Sequence, residues 1–198
     1  VRILGERGVR EKAHDLVRML QDKDARVRDE AADSLRKLKA REEIPPIAAL
    51  LNHARPEVRG VAVRTLAWLG AEERTPEILR LLEDEQGEVR EEALEALQFL
   101  KPKAATPEIL IPLLKDPDSD VRKKTVRLLE KLKAQEAIPA IWELLGDEDS
   151  SVRATAALSL GRMGDREVVP DLMEILTQKS PDVDEDIRRS AIEVIEEL

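Results

Sequence analysis

Few residues in this chain have the types and spacing that chemistry requires. Histidine occurs twice, at His14 and His53, 39 residues apart, and cysteine does not occur. Thiolate metal sites, disulfides and cysteine nucleophiles are therefore excluded, and two distant imidazoles make no ligand pair. No phosphate-binding glycine loop, HExxH or GxSxG pattern is present. Carboxylates abound, with 42 Asp+Glu against 33 Lys+Arg. On so acidic a surface, close carboxylate pairs arise by accident and assign no catalysis. The expectation is a protein that is not an enzyme and takes no cofactor or metal. The net charge of -9 also argues against a nucleic-acid partner, which needs positive potential along its binding face.

What recurs at near-regular spacing is arginine, at Arg28, Arg59, Arg90, Arg122, Arg153 and Arg188. A ladder of guanidinium groups could bind an acidic partner. It could equally bind carbonyls and acids of adjoining turns, with Asp118, Asp120, Asp147 and Asp149 close by, and the structural role is expected. Aromatics are scarce: Trp68, Phe99 and Trp142 are the whole set. A basic run at 121–133 (Arg122, Lys123, Lys124, Arg127, Lys131, Lys133 against Glu130) is read as a solvated helix face.

A repeat positions these residues. A twelve-residue box reads VRDEAADSLRKL at 27–38, VRGVAVRTLAWL at 58–69 and VREEALEALQFL at 89–100. It continues as VRKKTVRLLEKL at 121–132, VRATAALSLGRM at 152–163 and IRRSAIEVIEEL at 187–198. Box positions 1, 5, 9 and 12 are apolar or small, and at 100° per residue they fall within about 80°, one stripe of an amphipathic helix. The recurrent arginine is position 2. A second apolar stretch follows each of the first five boxes, entered at Pro45, Pro76, Pro107, Pro139 and Pro170. Proline suits the first turn of a helix, where its missing N–H would be unpaired anyway. Pro112 predicts that the third of these second helices starts late or kinks. A helix pair of about 31 residues cannot bury both apolar faces alone, but stacked on its neighbours it can. The fold class is therefore all-α, an α-solenoid of about six stacked helix pairs.

The box V-R-x-x-A-x-x-x-L, with a following L/M-G-D and I/V-P-x-L-x-x-L-L, resembles HEAT-like repeats of the short phycobilisome-lyase type. Residues 152–176, VRATAALSLGRMGDREVVPDLMEIL, show it best, and the resemblance spans residues 1–198. It implies one repeat domain: a partial repeat 1–23, repeats 24–54, 55–85, 86–117, 118–148 and 149–181, and a partial repeat 182–198. Such repeats serve scaffolds, chaperone-like adaptors, pigment lyases and some DNA-repair enzymes, so the resemblance is specific for fold and weak for function. The His-Glu pairs of HEAT-like deoxyhypusine hydroxylases are missing. The basic concave face of HEAT-like alkylpurine glycosylases is not matched by an acidic chain.

In HEAT-like arrays the second helices line the concave surface. The column there holds Val17, Ala48, Leu79, Ile111, Trp142 and Met173. A partner's helix or extended peptide in that groove would meet Trp142 and Met173 as bulky anchors, with Glu143 and Glu174 beside them and Leu79 and Arg80 further along. The same column could instead pack between repeats. On the first helix, box position 11 lies opposite the apolar stripe and holds Lys37, Lys131, Arg162 and Glu197, but Trp68 and Phe99 in the second and third boxes. With Val61 two turns before Trp68, these make an alternative convex patch.

The expected function is a non-enzymatic scaffold or adaptor binding another protein on the concave surface. The alternatives are a bilin-lyase-type enzyme subunit or chaperone and, after these, a DNA-binding repair protein. A second copy could dock through the Trp68/Phe99 patch or the apolar ends, since Val1, Leu4, Ile192, Ile195 and Leu198 suggest a piece of a longer array. No apolar run approaches a membrane span, and the expected location is cytoplasmic. The GERGVREK link and the TQKSPDVDED segment at 177–186 carry extra residues relative to the other repeats.

Overall fold

Three of the long helices begin where aspartate satisfies their free N–H groups. The computed structural model describes residues 12–100, 106–177 and 185–198, grouped into two compact units, residues 1–105 and 106–198. In the first unit the long helices are α2 (Ala25–Leu38), α4 (Pro56–Trp68) and α6 (Gly87–Leu100); the short ones are α1 (Ala13–Met19), α3 (Ile44–Ala49) and α5 (Thr75–Arg80). In the second unit α8 (Ser119–Leu132), α10 (Ser150–Arg162) and α12 (Glu185–Glu197) alternate with α7 (Pro107–Leu110), α9 (Ile138–Glu143) and α11 (Val169–Thr177). Among the described residues there is no strand, and no helix is long and apolar enough to cross a membrane. Val1, Leu4, the link up to Glu11 and the segment 178–184 lie outside the described residues.

Asp24, Asp118 and Asp149 cap α2, α8 and α10. Their side chains accept from the N–H of Arg26 (2.9 Å), Asp120 (2.9 Å) and Ser151 (2.8 Å), the usual role of an N-cap acid. Two residues earlier Asp22, Asp116 and Asp147 each accept the capping residue's own N–H, at 2.8, 2.8 and 2.9 Å. The C-terminal ends close by the 6→1 bond of a Schellman motif. Ala40, Ala71, Ala134 and Asp165 donate to the carbonyls of Leu35, Leu66, Leu129 and Leu160. That turn needs a left-handed residue, supplied by Gly70 and Gly164 in two repeats and by Lys39 (φ 53°) and Lys133 (φ 54°) in two others.

The short helices start at their prolines and tighten into 3₁₀ turns at 50–52, 81–83, 111–115 and 144–146. Pro112 acts within its helix rather than delaying it. The α-turn runs from Pro107 to Leu110 and passes into 3₁₀ geometry where the ring removes the next donor.

In the first unit α2 packs on α1 and α4, α4 on α6, and α3 and α5 lie against α4 and α6. Leu16, Leu35, Ile47, Leu66, Ile78, Leu94 and Leu97 are fully buried there, each contributing about 1.5–3 kcal/mol relative to exposure. In the second unit α10 packs between α8 and α12 around Leu110, Leu114, Leu129, Ile141 and Leu172. A Cβ on Gly161 would stand 2.3 Å from Val194 Cγ1, so a side chain there would separate α10 from α12.

The arginine ladder is structural. Five of its members reach back six residues to a carbonyl: Arg28 to Asp22, Arg59 to His53, Arg90 to Asp84, Arg122 to Asp116 and Arg153 to Asp147. Arg59 also grips both oxygens of Asp84 at 2.7 Å, and Arg122 both oxygens of Asp147 at 2.8 and 2.7 Å. These bidentate pairs staple the start of a long helix to the turn that leads into the next long helix. Arg59 and Arg122 are 8% and 6% exposed, and their carboxylate hydrogen bonds raise their pKa further. Burial alone would push Asp84 up. The hydrogen bonds from Arg59 and the Gln86 N–H, with the charges of Arg59 and Arg90, outweigh it and leave the carboxyl below its ordinary value.

Candidate partner-binding site

Box position 11 lies at the C-terminal end of each long helix, past the stripe that faces the core. In α4 it holds Trp68, 37% exposed, and in α6 Phe99, 62% exposed. The two rings border a recess of about 740 Å³ lined by Asp33, Arg36, Lys39, Arg41, Trp68, Leu69, Gly70 and Phe99. All eight residues belong to the first unit.

Charges fix the indole in place. The guanidinium of Arg64, one turn earlier on α4, lies 5.6 Å from the Trp68 ring centroid, and that of Arg36 on α2 lies 5.7 Å away, both within cation–π range. Arg64 is itself tied to Asp29 of α2 at 2.6 Å and Glu92 of α6 at 3.0 Å, bridging three consecutive long helices. Arg36 donates twice to Asp33 Oδ1, at 3.1 and 2.5 Å, and Lys37 meets the other oxygen at 2.7 Å. The Lys37 hydrogen bond, then that of Arg36, hold the Asp33 carboxyl below its ordinary pKa. Arg41 donates to the carbonyls of Leu69 (2.6 Å) and Gly70 (3.1 Å), placing a cation at the negative end of α4. Lys39 stands exposed on the rim.

Val61 does not join this patch. It is 3% exposed, because α4 is flanked by α2 and α6 and carries α3 as well, so its box position 4 faces a neighbour rather than solvent. Trp68 and Phe99 form the surface feature without it.

The residues expected on the second-helix face divide between the units. In the first, Leu79 is half-buried and Arg80 exposed. In the second, the Trp142 indole N–H donates to Asp165 Oδ2 at 2.7 Å and its ring is half-buried. Glu143 is exposed and paired with Lys115 at 3.0 Å. Met173 is 51% exposed and Glu174 is exposed beside it. Val17 is buried, and Ala48 and Ile111 are half-buried, so this column packs between repeats along much of its length. Much of the basic run at 121–133 is engaged: Arg122 binds Asp147, and Lys123 pairs with Asp120 at 2.7 Å.

The histidines do no chemistry visible here. His14 Nδ1 lies 3.3 Å from Glu43 Oε2. His53 Nδ1 accepts the Arg55 N–H at 3.1 Å, the same bond that Asp22, Asp116 and Asp147 accept in their repeats.

A model of HEAT repeats matches residues 44–109 and 107–196, and the chain belongs to the HEAT-repeat family. No curated protein matches it. Among solved structures it is similar to Escherichia coli YibA at 22% identity and TM-score 0.71, over 100% of this chain and 85% of that one. It is also similar to the complex of CpcE and CpcF of phycocyanin lyase from Nostoc sp. at 25% identity and TM-score 0.64, over 92% and 75%. A designed armadillo repeat protein shares the fold at 20% identity and TM-score 0.54, over 91% of this chain and 98% of that one. The all-helical repeat architecture and the phycobilisome-lyase type of repeat expected from the boxes are thus shown.

Proposed function

We propose that the chain is a non-enzymatic protein-binding module and that the Trp68–Phe99 recess is where a partner protein docks. The observation that carries this reading is the exposure of two of the chain's three aromatics, at equivalent places in adjacent repeats, over one recess. Trp and Arg dominate the energetics of protein interfaces, and Trp68 is held by two guanidinium groups, so little side-chain entropy remains to be lost on binding. The likeness to CpcE and CpcF, a complex of two proteins, supports a protein as the partner.

The second-helix face is the alternative docking surface, with Met173 its most exposed apolar residue and Leu79, Arg80, Trp142, Glu143 and Glu174 around it in their respective units. An enzymatic reading, a subunit of a bilin lyase, is favoured by the same likeness and by nothing among the described side chains.

The test is affinity capture from a lysate of the source organism with wild type, Trp68→Ala and Met173→Ala in parallel, read by mass spectrometry and visible absorbance. A protein retained by wild type and Met173→Ala but lost by Trp68→Ala is the expected result. Loss with Met173→Ala alone moves the interface to the second-helix face. A bound chromophore in place of a protein overturns the module in favour of the lyase.

A further inference from the structure

Resting on that reading, we infer that the recess recognises an acidic segment of its partner: a bulky apolar side chain seated on Trp68, Leu69 and Phe99, flanked by carboxylates that pair with Lys39 and Arg41. The chain as a whole carries a net charge of -9, yet the recess is lined by Arg36, Lys39 and Arg41 against the single acid Asp33. That acid is already spent, since Arg36 and Lys37 occupy both of its oxygens. The rim is therefore a positive island on an acidic molecule, which attracts carboxylates and repels basic segments.

The cations are not equivalent. Arg36 lies over the Trp68 ring and is engaged by Asp33. Arg41 is turned toward the α4 carbonyls, and its remaining contact is a 3.8 Å approach to the exposed Glu73. The Lys39 side chain makes no hydrogen bond or ion pair with any described residue, and it is exposed at a left-handed position that glycine fills in two other repeats. Lys39 and the outer edge of Arg41 are thus the groups left to meet a carboxylate, on either side of an apolar floor. A partner lacking acids would leave both charges facing it unpaired, and a basic one would add like-charge repulsion, so recognition discriminates by charge as well as by shape.

Selection of a phage-displayed random dodecapeptide library on the wild-type protein tests this. The expected winners carry a bulky apolar residue with Asp or Glu within a few positions. As synthetic peptides they weaken about tenfold on Lys39→Glu, weaken further in 0.5 M salt, and lose binding to Trp68→Ala and to Phe99→Ala, a substitution at a largely exposed site. Winners that need Trp68 but show no acidic preference, or that ignore Lys39→Glu, overturn this inference and leave the docking recess standing. Winners indifferent to Trp68 and Phe99 overturn both.

Discussion

Removing Arg59 takes a charge from a nearly closed cluster, and its cost follows from what is left behind. The Asp84 side chain is 6% exposed and loses both guanidinium bonds in Arg59→Met, while the carbonyls of His53 and Ala54 lose their shared donor. Stranding one partner of a buried ion pair costs about 3–5 kcal/mol. Arg28 is a natural control, because it makes the same backward carbonyl bonds, to Asp22 and Lys23, but the residue 25 positions on, which is Asp84 for Arg59, is His53 for Arg28. Arg28→Met should therefore cost about 1–2 kcal/mol, the worth of charge-assisted bonds to carbonyls that water can still reach. Each unit contains one tryptophan, so in a Trp142→Phe background Trp68 fluorescence reports unfolding of the first unit alone. With a urea slope of about 1.5 kcal/mol/M, Arg59→Met lowers the midpoint by roughly 2–3 M and Arg28→Met by about 1 M. Adding Asp84→Asn to Arg59→Met should restore part of the loss, since the stranded charge goes with it. Equal losses at Arg59 and Arg28, or strict additivity in the double variant, would refute the stapling argument.

Two further outcomes follow from the same loops. His53→Asp keeps the backbone bond now made to Nδ1 and supplies the carboxylate that Arg28 lacks; it should raise the stability of the first unit by about 1 kcal/mol, and a lower urea midpoint would show that the loop cannot present it. Asp149 is the clearest acid-sensitive group: its bonds from Ser151, with those from Ser119 and the Val152 N–H, outweigh burial and lower its pKa to about 2. A depressed carboxylate stabilises the fold above its ordinary value near 3.8 and loses that contribution as pH falls through about 2. After solvent screening the contribution is about 1–2 kcal/mol. Comparing wild type with Asp149→Asn by Trp142 fluorescence in a Trp68→Phe background should show that gap at pH 5 narrowing through pH 3 toward pH 2, and a gap independent of pH would contradict it.

The repeat was legible because its signals reinforce one another: an apolar stripe, a proline entry and an aspartate turn, each at a fixed offset. The arginine ladder was legible in kind and only in part in partner. Of the acids expected beside it, Asp118, Asp120, Asp147 and Asp149, Asp147 does bind Arg122, but Asp84, which binds Arg59, was not among them; both carboxylates lie five residues before the following box. The recurrence of Asp at that offset (Asp22, Asp84, Asp116, Asp147) was there to be read. Val61 was misplaced because a single-stripe picture allots one buried face. A helix flanked by equals on both sides buries Arg59, Gly60, Val61, Ala62 and Val63 in succession. The Trp142–Asp165 bond joins residues 23 positions apart, and no periodicity signals it. Trp68 and Phe99 were found by position alone, but the basic rim comes from the RKLKAR stretch at 36–41, which enters the recess only once α2 and α4 stack.

Position 11 differs from the rest of the box in what the fold asks of it. Positions 1, 5 and 9 are held by the core, and position 2 by carbonyls and carboxylates. A substitution at any of these positions costs the fold directly. Position 11 answers to none of these demands, which is why it holds Lys37, Trp68, Phe99, Lys131, Arg162 and Glu197 along one otherwise regular array. An aromatic left largely exposed at such a site gains little for the isolated chain. Phe99 leaves most of its ring in water and forfeits most of the roughly 1.5–3 kcal/mol that burial would bring. That forfeited free energy becomes available when a partner covers the ring, and the two Trp68 guanidiniums already hold its neighbour in place. The repeat thus separates stability from recognition within a single helix. The arginine at the second box position joins the stack, and the ring nine residues later, between the core positions 9 and 12, is left for whatever docks there.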